Sequence, residues 1–105
     1  MVTVFISQPM NGKTDEEILL ERENAVREIQ EAIGGEAVQV IDSFFQGAPH
    51  EAKPLWFLGK SLELMSAADG IYFAKGWQDA RGCRIEHECA VQYGYPVFEA
   101  QEEEG

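Results

Sequence analysis

The stretch most informative about the fold is VTVFISQPMNGKTDEEI, residues 2–18. Residues 2–6 are all β-branched or aromatic, which is typical of a strand buried on both faces of a parallel sheet. The following polar segment, which contains Pro9 and Gly12, interrupts the strand as a loop. Thr14 followed by Glu17 is a capping box and predicts that a helix begins there. The stretch therefore predicts the first half of a β–α–β unit.

The same alternation continues along the chain and predicts an α/β fold with a parallel sheet. The predicted strands cover residues 2–6, 37–41, 70–73 and 95–98, and the predicted helices cover about 14–33, 54–67 and 83–93. Right-handed crossovers then give a single Rossmann-like or flavodoxin-like domain over residues 1–98, with a four-stranded sheet in the order 2-1-3-4. Residues 99–105 are predicted to form an acidic, flexible tail.

Composition restricts the classes of partner. The chain has 105 residues, of which 8 are Lys or Arg and 19 are Asp or Glu, so its formal charge is −11. This charge argues against nucleic-acid polymers and anionic membranes as partners. No run of 18 apolar residues and no signal peptide is recognisable, so we expect a cytoplasmic protein without a membrane span.

The two cysteines are better explained as packing residues than as metal ligands. Cys83 and Cys89 are six residues apart in a predicted helix, and His87 lies between them. These three positions do not share one helix face, and positions six apart are poorly placed for a disulfide. We therefore predict two buried thiols, no metal site and no cofactor.

The fold class predicts where a ligand would bind. In doubly wound sheets, ligands bind beyond the carboxyl ends of the strands, near the switch point between the first and third strands. This rule selects the loops 7–13, 42–54 and 74–82 and the amino-terminal turn of the third predicted helix.

Glu86 is the strongest catalytic candidate. Ile85, Cys89 and Tyr93 mark an apolar arc on the third helix, and Glu86 falls within roughly 60° of its centre. We expect the helix dipole to keep this carboxylate ionised, which suits a nucleophile or general base. The alternative is a first-turn acid favoured by the dipole alone and paired with Arg84 or Arg81.

Two loops supply candidate binding residues. The loop 7–13 can present N–H groups and the Lys13 ammonium to a phosphate, or it can be a plain strand-to-helix turn. In the loop 76–82, Trp77 can stack on a base or sugar and Asp79 can bind ribose hydroxyls, or Trp77 can pack down while Asp79 caps the next helix. The substrate-binding candidates from the two loops are Ser7, Gln8, Met10, Gly12, Lys13, Trp77 and Gly82.

The remaining aromatic and histidine residues suggest surfaces. His50 and His87 are interpreted as surface residues, because neither has an evident carboxylate partner at helical spacing. Trp56 and Phe57 are assigned to the core or to a dimer face. Together with Phe44 and Phe45 they predict a homodimer or a larger homo-oligomer.

The segment VFISQPMNG, residues 4–12, resembles the start of the nucleoside 2-deoxyribosyltransferase-like superfamily, and above all its small bacterial and phage members. Glu86, Ala90 and Pro96 match that family's spacing of a Glu, an Ala four residues on and a Pro ten residues on. The resemblance extends over nearly the whole chain through short motifs at Ala68-Asp69, Gly76-Trp77, Gly82, Gly94 and Pro96-Val97.

The resemblance implies a function. In that superfamily the matching Glu attacks the anomeric carbon of a deoxyribonucleoside or its 5′-monophosphate, so Glu86 would be the nucleophile. Asp79 would steer the sugar or base, and the loop 7–13 would lie near the 5′ end of a small nucleoside or nucleotide. Ser61 stands where many active members carry an Asp that contacts the nucleoside. A nucleotide-binding protein without catalysis and a vestigial interaction domain therefore remain open alternatives.

Overall fold

A computed structural model describes residues 1–9, 12–41, 51 and 53–100. The described residues form a four-stranded parallel sheet flanked by three α-helices and a short 3₁₀ helix at Trp77–Asp79. The strands are β1 (Val2–Ser7), β2 (Val38–Val40), β3 (Gly70–Phe73) and β4 (Val97–Glu99), and the helices are α1 (Asp15–Ala32), α2 (Pro54–Ser66) and α3 (Arg81–Gln92).

The strand order is β2-β1-β3-β4, and all neighbouring strands are parallel. The predicted fold class and strand order are therefore confirmed. In this order β1 and β3 lie side by side at the centre of the sheet, so their carboxyl ends are neighbours. Ser7 at the end of β1 is in register with Phe73 at the end of β3, and the Ser7 carbonyl accepts a hydrogen bond of 2.9 Å from the Ala74 N–H.

The hydrophobic core lies on both faces of this sheet. On one face, Val4 and Ile6 of β1 pack against Ala25 and Ile29 of α1. On the other face, the core is formed by β1 and β3 together with α2 and α3, through Phe5, Met65, Ala68, Ile71, Phe73 and Ala90. Alternate residues of one strand thus serve both layers, as expected of a strand covered on both sides.

α1 begins and ends as its sequence predicts. The Thr14 hydroxyl accepts from the Glu17 N–H at 3.2 Å, and Gly34 and Gly35 follow the helix with φ values of 78° and 87°. Left-handed backbone of this kind is favourable for glycine. Among the apolar residues of the helix and its cap, Ile18, Ala25 and Ile29 are buried, Val26 and Ile33 are partly buried, and Ala32 is exposed.

α2 is packed unevenly along its length. Pro54 occupies its first turn. Of its apolar residues at helical spacing, Met65 is buried, Leu58 and Leu62 are partly buried, and Leu55 is 76% exposed. The helix packs through its carboxyl-terminal half, so its first turn projects from the sheet.

The last third of the chain differs from the prediction at its boundaries. α3 begins at Arg81 rather than Cys83, and β4 ends at Glu99 rather than Phe98. The Ala100 N–H also donates to the Phe73 carbonyl at 2.9 Å, so sheet pairing continues past Phe98. In the described part of the chain, no helix is long and apolar enough to cross a membrane.

Candidate active site

The centre of the candidate site is a buried pair formed by Ser7 and Glu86. The Ser7 Oγ donates a hydrogen bond of 2.7 Å to Glu86 Oε1, although the two residues are 79 positions apart in the sequence. Ser7 is 1% exposed and Glu86 is 6% exposed. The pair lies where β1 ends and α3 crosses the sheet, at the carboxyl edge selected by the fold class.

The face of α3 that carries Glu86 is not the one predicted. Its buried residues are Cys83, Glu86 and Ala90, spaced three and four residues apart. Ile85 is 39% exposed and Tyr93 is 80% exposed, so the arc based on these residues was wrong. Glu86 points inward because the small side chains of Cys83 and Ala90 let the helix approach the sheet on this face.

Burial controls the titration of Glu86. Desolvation raises the pKa of Glu86 from 4.5 to about 7, and the Ser7 hydroxyl opposes this rise. The helix dipole therefore does not hold the pKa of this carboxyl at or below its usual value. Because α3 begins at Arg81, Glu86 is its sixth residue and lies beyond the first turn, where the dipole acts most strongly. At this position, desolvation of the charged form outweighs the remaining effect of the helix dipole.

Cys83 is a further member of this cluster. Burial raises the pKa of the Cys83 thiol, and the nearby Glu86 carboxylate adds to the rise, whereas a hydrogen bond with Ser7 and the charge of Lys13 act in the opposite direction. Cys83 is thus buried close to both members of the Ser7–Glu86 pair. Cys83 is buried as predicted, but Cys89 is only partly buried, and both are free thiols.

Gln8 and Lys13 are directed toward α1. The Gln8 amide donates to the Ile18 carbonyl and to Glu21, both at 3.3 Å, and accepts from Arg22 Nε at 2.7 Å. The Lys13 ammonium contacts both carboxylate oxygens of Glu21, at 2.8 and 2.9 Å. These two predicted binding residues hold the β1–α1 loop to its helix, so the Lys13 charge is already neutralised.

The rest of that loop is placed only in part. Gly12 is exposed with a φ of 77°, a backbone conformation that a side chain would strain. Pro9 lies against the β3–α3 connection: a Cβ atom added to Gly76 would be 3.8 Å from the Pro9 Cγ. Met10 and the central part of the loop 42–54, with His50, Phe44 and Phe45, fall outside the described residues.

Trp77 belongs to an aromatic cluster. Its ring stacks on His87 with centroids 4.0 Å apart and planes 11° apart, and Phe73 meets the His87 ring edge-on at 4.7 Å. The His87 Nε2 also lies 3.8 Å from a Glu99 oxygen. His87 is therefore partly buried rather than a surface residue, and its carboxylate neighbour lies on β4, not at helical spacing. One face of the Trp77 ring is occupied by His87 and cannot stack on a ligand.

Asp79 and Gly82 are both exposed to solvent. Asp79 is exposed in the 3₁₀ helix and makes no side-chain hydrogen bond or ion pair with any other described residue. It does not cap α3, because Ala80 is the capping residue. Gly82 is exposed at the second position of α3. The structure thus brings Ser7 and Glu86 together, whereas the side chains of Gln8 and Lys13 bond to α1.

Sequence reasoning missed Cys83 and His87 as neighbours of this site. The spacing of Cys83, Glu86 and Ala90 carried the signal for Cys83, but the larger apolar residues on other faces obscured it. Across the described ranges, no three His, Cys, Asp or Glu side chains come together as metal ligands would.

Fold and site together define a small Rossmann-like α/β protein with a buried serine–glutamate pair at the carboxyl edge of its sheet. The chain belongs to the family described as a domain of unknown function (DUF4406), whose model matches residues 2–99. No curated protein and no solved structure matches the chain.

Proposed function

We propose that this protein is an N-glycosidase or deoxyribosyltransferase-like enzyme that cleaves the glycosidic bond of a small (deoxy)nucleoside or nucleotide. The observation that carries the proposal is the burial of Glu86 beside Ser7 at the ligand-binding edge of the sheet. Burying a carboxylate lowers stability, so a buried carboxyl with a raised pKa at a ligand-binding edge is a candidate functional group. The resemblance of Glu86, Ala90 and Pro96 to the deoxyribosyltransferase pattern supports the same assignment.

The chemistry has two steps. A Glu86 carboxylate oxygen bonds to the anomeric carbon as the bond from that carbon to the base nitrogen breaks, and the base leaves with the bonding electrons and takes up a proton. Water, or a second base, then attacks the same carbon, loses a proton and releases the carboxylate. The ionised form of Glu86 is the nucleophile, so its Ser7 hydrogen bond has to favour that form.

A second candidate function is nucleotide binding without turnover. With a pKa of about 7, close to half of the Glu86 side chains are protonated at neutral pH, and a protonated carboxyl donates a hydrogen bond instead of attacking. Ser61, which lies on α2 in place of the expected Asp, favours this alternative. The assay described next separates the two functions.

A base-release assay tests the catalytic proposal. The protein is incubated with each deoxynucleoside and its 5′-monophosphate, and free base is resolved by chromatography. We expect Glu86→Gln to lower the rate at least ~100-fold, because the amide cannot form the glycosyl ester. Glu88→Gln is the matched control, since Glu88 is an exposed acid on the same helix. Release that is equal in Glu86→Gln and wild type, or absent from both, contradicts catalysis by Glu86.

Ser7 gives a second, finer test. Its hydrogen bond lowers the pKa of Glu86, so Ser7→Ala should raise the pH at which base release reaches half of its maximum by about one unit. Ser7→Thr restores a hydroxyl and should return the midpoint toward that of the wild type. A pH profile that is scaled down but not displaced in Ser7→Ala would show that Ser7 only supports packing.

A further inference from the structure

A cavity, called the α2–α3 groove below, lies between the amino-terminal turns of α2 and α3. Its volume is about 470 Å³, which is in the range of small-molecule sites. The lining consists of Lys53, Pro54, Leu55 and Leu58 from the α2 side and Arg81, Gly82 and Ile85 from the α3 side. None of the proposed catalytic residues lines this groove.

Charge is distributed unusually in the α2–α3 groove. Lys53 and Arg81 line it, and no carboxylate among the described residues does, although acidic residues outnumber basic ones 19 to 8 in the chain. Neither cation makes an ion pair or a side-chain hydrogen bond within the described part of the chain. Two uncompensated cations facing one cavity create a local positive potential in an otherwise negative protein, which favours an anion.

The walls of the groove are apolar and exposed. Leu55 is 76% exposed and Ile85 is 39% exposed, and Leu58 between them is partly buried. A ligand that covered these side chains would remove apolar area from water, at about 25 cal/mol per Å². A bare inorganic ion would gain nothing from them, whereas an anion that carries a flat or apolar body would.

The groove is on a different side of α3 from the Ser7–Glu86 pair. Successive helical residues are about 100° apart, so Ile85 is turned by that angle from Glu86 and Arg81 by about 140°. Glu86 accordingly faces the sheet while Arg81 and Ile85 face α2. A ligand in the groove need not touch the carboxylate.

We propose that the α2–α3 groove binds a small organic anion, with its phosphate, sulfonate or carboxylate group at Lys53 and Arg81 and its apolar body on Leu55, Leu58 and Ile85. The first-turn N–H groups of the two helices add positive potential to the same end of the groove. This binding requires no catalysis by Glu86, so it goes beyond the proposed function. An experiment that contradicts one of the two proposals leaves the other unaffected.

A fluorescence titration with 1-anilinonaphthalene-8-sulfonate, an aromatic sulfonate, tests the site. We expect saturable binding at one site, weakened at least tenfold in Arg81→Glu and in Lys53→Glu. Arg84→Glu is the matched control, because Arg84 is an exposed cation of α3 outside the groove and its reversal changes the net charge by the same amount. This control should stay within twofold of the wild type, and thermal melting of each variant shows that all are folded.

Competition then identifies the source of the anion. Displacement of the dye by deoxynucleoside 5′-monophosphates, or by an aliphatic carboxylate such as decanoate, supports the site and names the anionic group that it prefers. The same titration in Glu86→Gln should give an unchanged affinity, even if no base release is ever detected. Absence of saturable binding, equal affinity in Arg81→Glu and Arg84→Glu, or displacement by neither competitor overturns the proposal.

Discussion

Replacing Glu86 with glutamine should make the protein more stable at pH 8, by about 3 kcal/mol, while leaving its stability near pH 4.5 almost unchanged. The pKa of Glu86 is raised from 4.5 to about 7, so between these values the folded protein holds a proton that the unfolded chain releases. The stabilisation from this proton is complete below about pH 4.5 and is lost as the pH rises to about 7. Glutamine is neutral throughout and can still accept the Ser7 hydrogen bond.

Urea unfolding of both proteins from pH 4.5 to 8.5 measures this effect. The difference in unfolding free energy should grow across the window and level off above pH 7. Glu88→Gln, an exposed change on the same helix, should show no comparable difference. A Glu86→Gln variant that is less stable than the wild type at pH 8 would show that the carboxylate is stabilised by partners that outweigh its burial. A stabilising effect combined with lost base release would mark Glu86 as a residue kept for function at a cost in stability.

Replacing Phe73 with alanine should destabilise the fold by about 3–5 kcal/mol. Phe73 is fully buried at the end of β3, one of the two central strands, and packs between the sheet and α3. Its ring contacts both His87 and Trp77, so truncation removes the support of the stacked pair as well as leaving a cavity. The change should also disturb α3, which carries Glu86.

Denaturant unfolding checks this prediction, with Phe57→Ala as the control that removes the same atoms. Phe57 is 38% exposed on α2, so Phe57→Ala should lower the unfolding free energy by less than half as much as Phe73→Ala. The Phe73→Ala variant should additionally show an altered near-ultraviolet circular dichroism signal from Trp77. Equal costs at the two positions would indicate that the core around Phe73 collapses to fill the space.

Much of the fold could be predicted from local sequence. The run of β-branched and aromatic residues in β1, the Thr14–Glu17 pair and the glycines after α1 each specify a conformation within a few residues. Chirality of the crossovers then restricts the strand order, which the structure confirms. The boundaries of α3 and β4 were less accurate, because neither has a strong cap and both are set by pairing and packing.

The location of the candidate site followed from the fold class, but its composition did not. Glu86 was identified through an arc that is in fact largely exposed, and its partner Ser7 was expected to bind substrate. The side chains of Lys13, which is expected to face a phosphate, and of Gln8, a substrate-binding candidate, are instead bound to α1. A polar side chain can form hydrogen bonds of similar free energy with many different partners, so the periodicity of the sequence cannot predict which partner it binds.

The sequence by itself thus determined the order of strands and helices and the edge of the sheet where a ligand would bind, because these depend on local conformational preference and on chain connectivity. Only the tertiary structure decided that Ser7 meets Glu86, that His87 stacks on Trp77 and that Leu55 and Ile85 border an open groove. These contacts join residues far apart in the chain or on different elements. They depend on how closely each helix approaches the sheet, which is set by the packing of all the elements together.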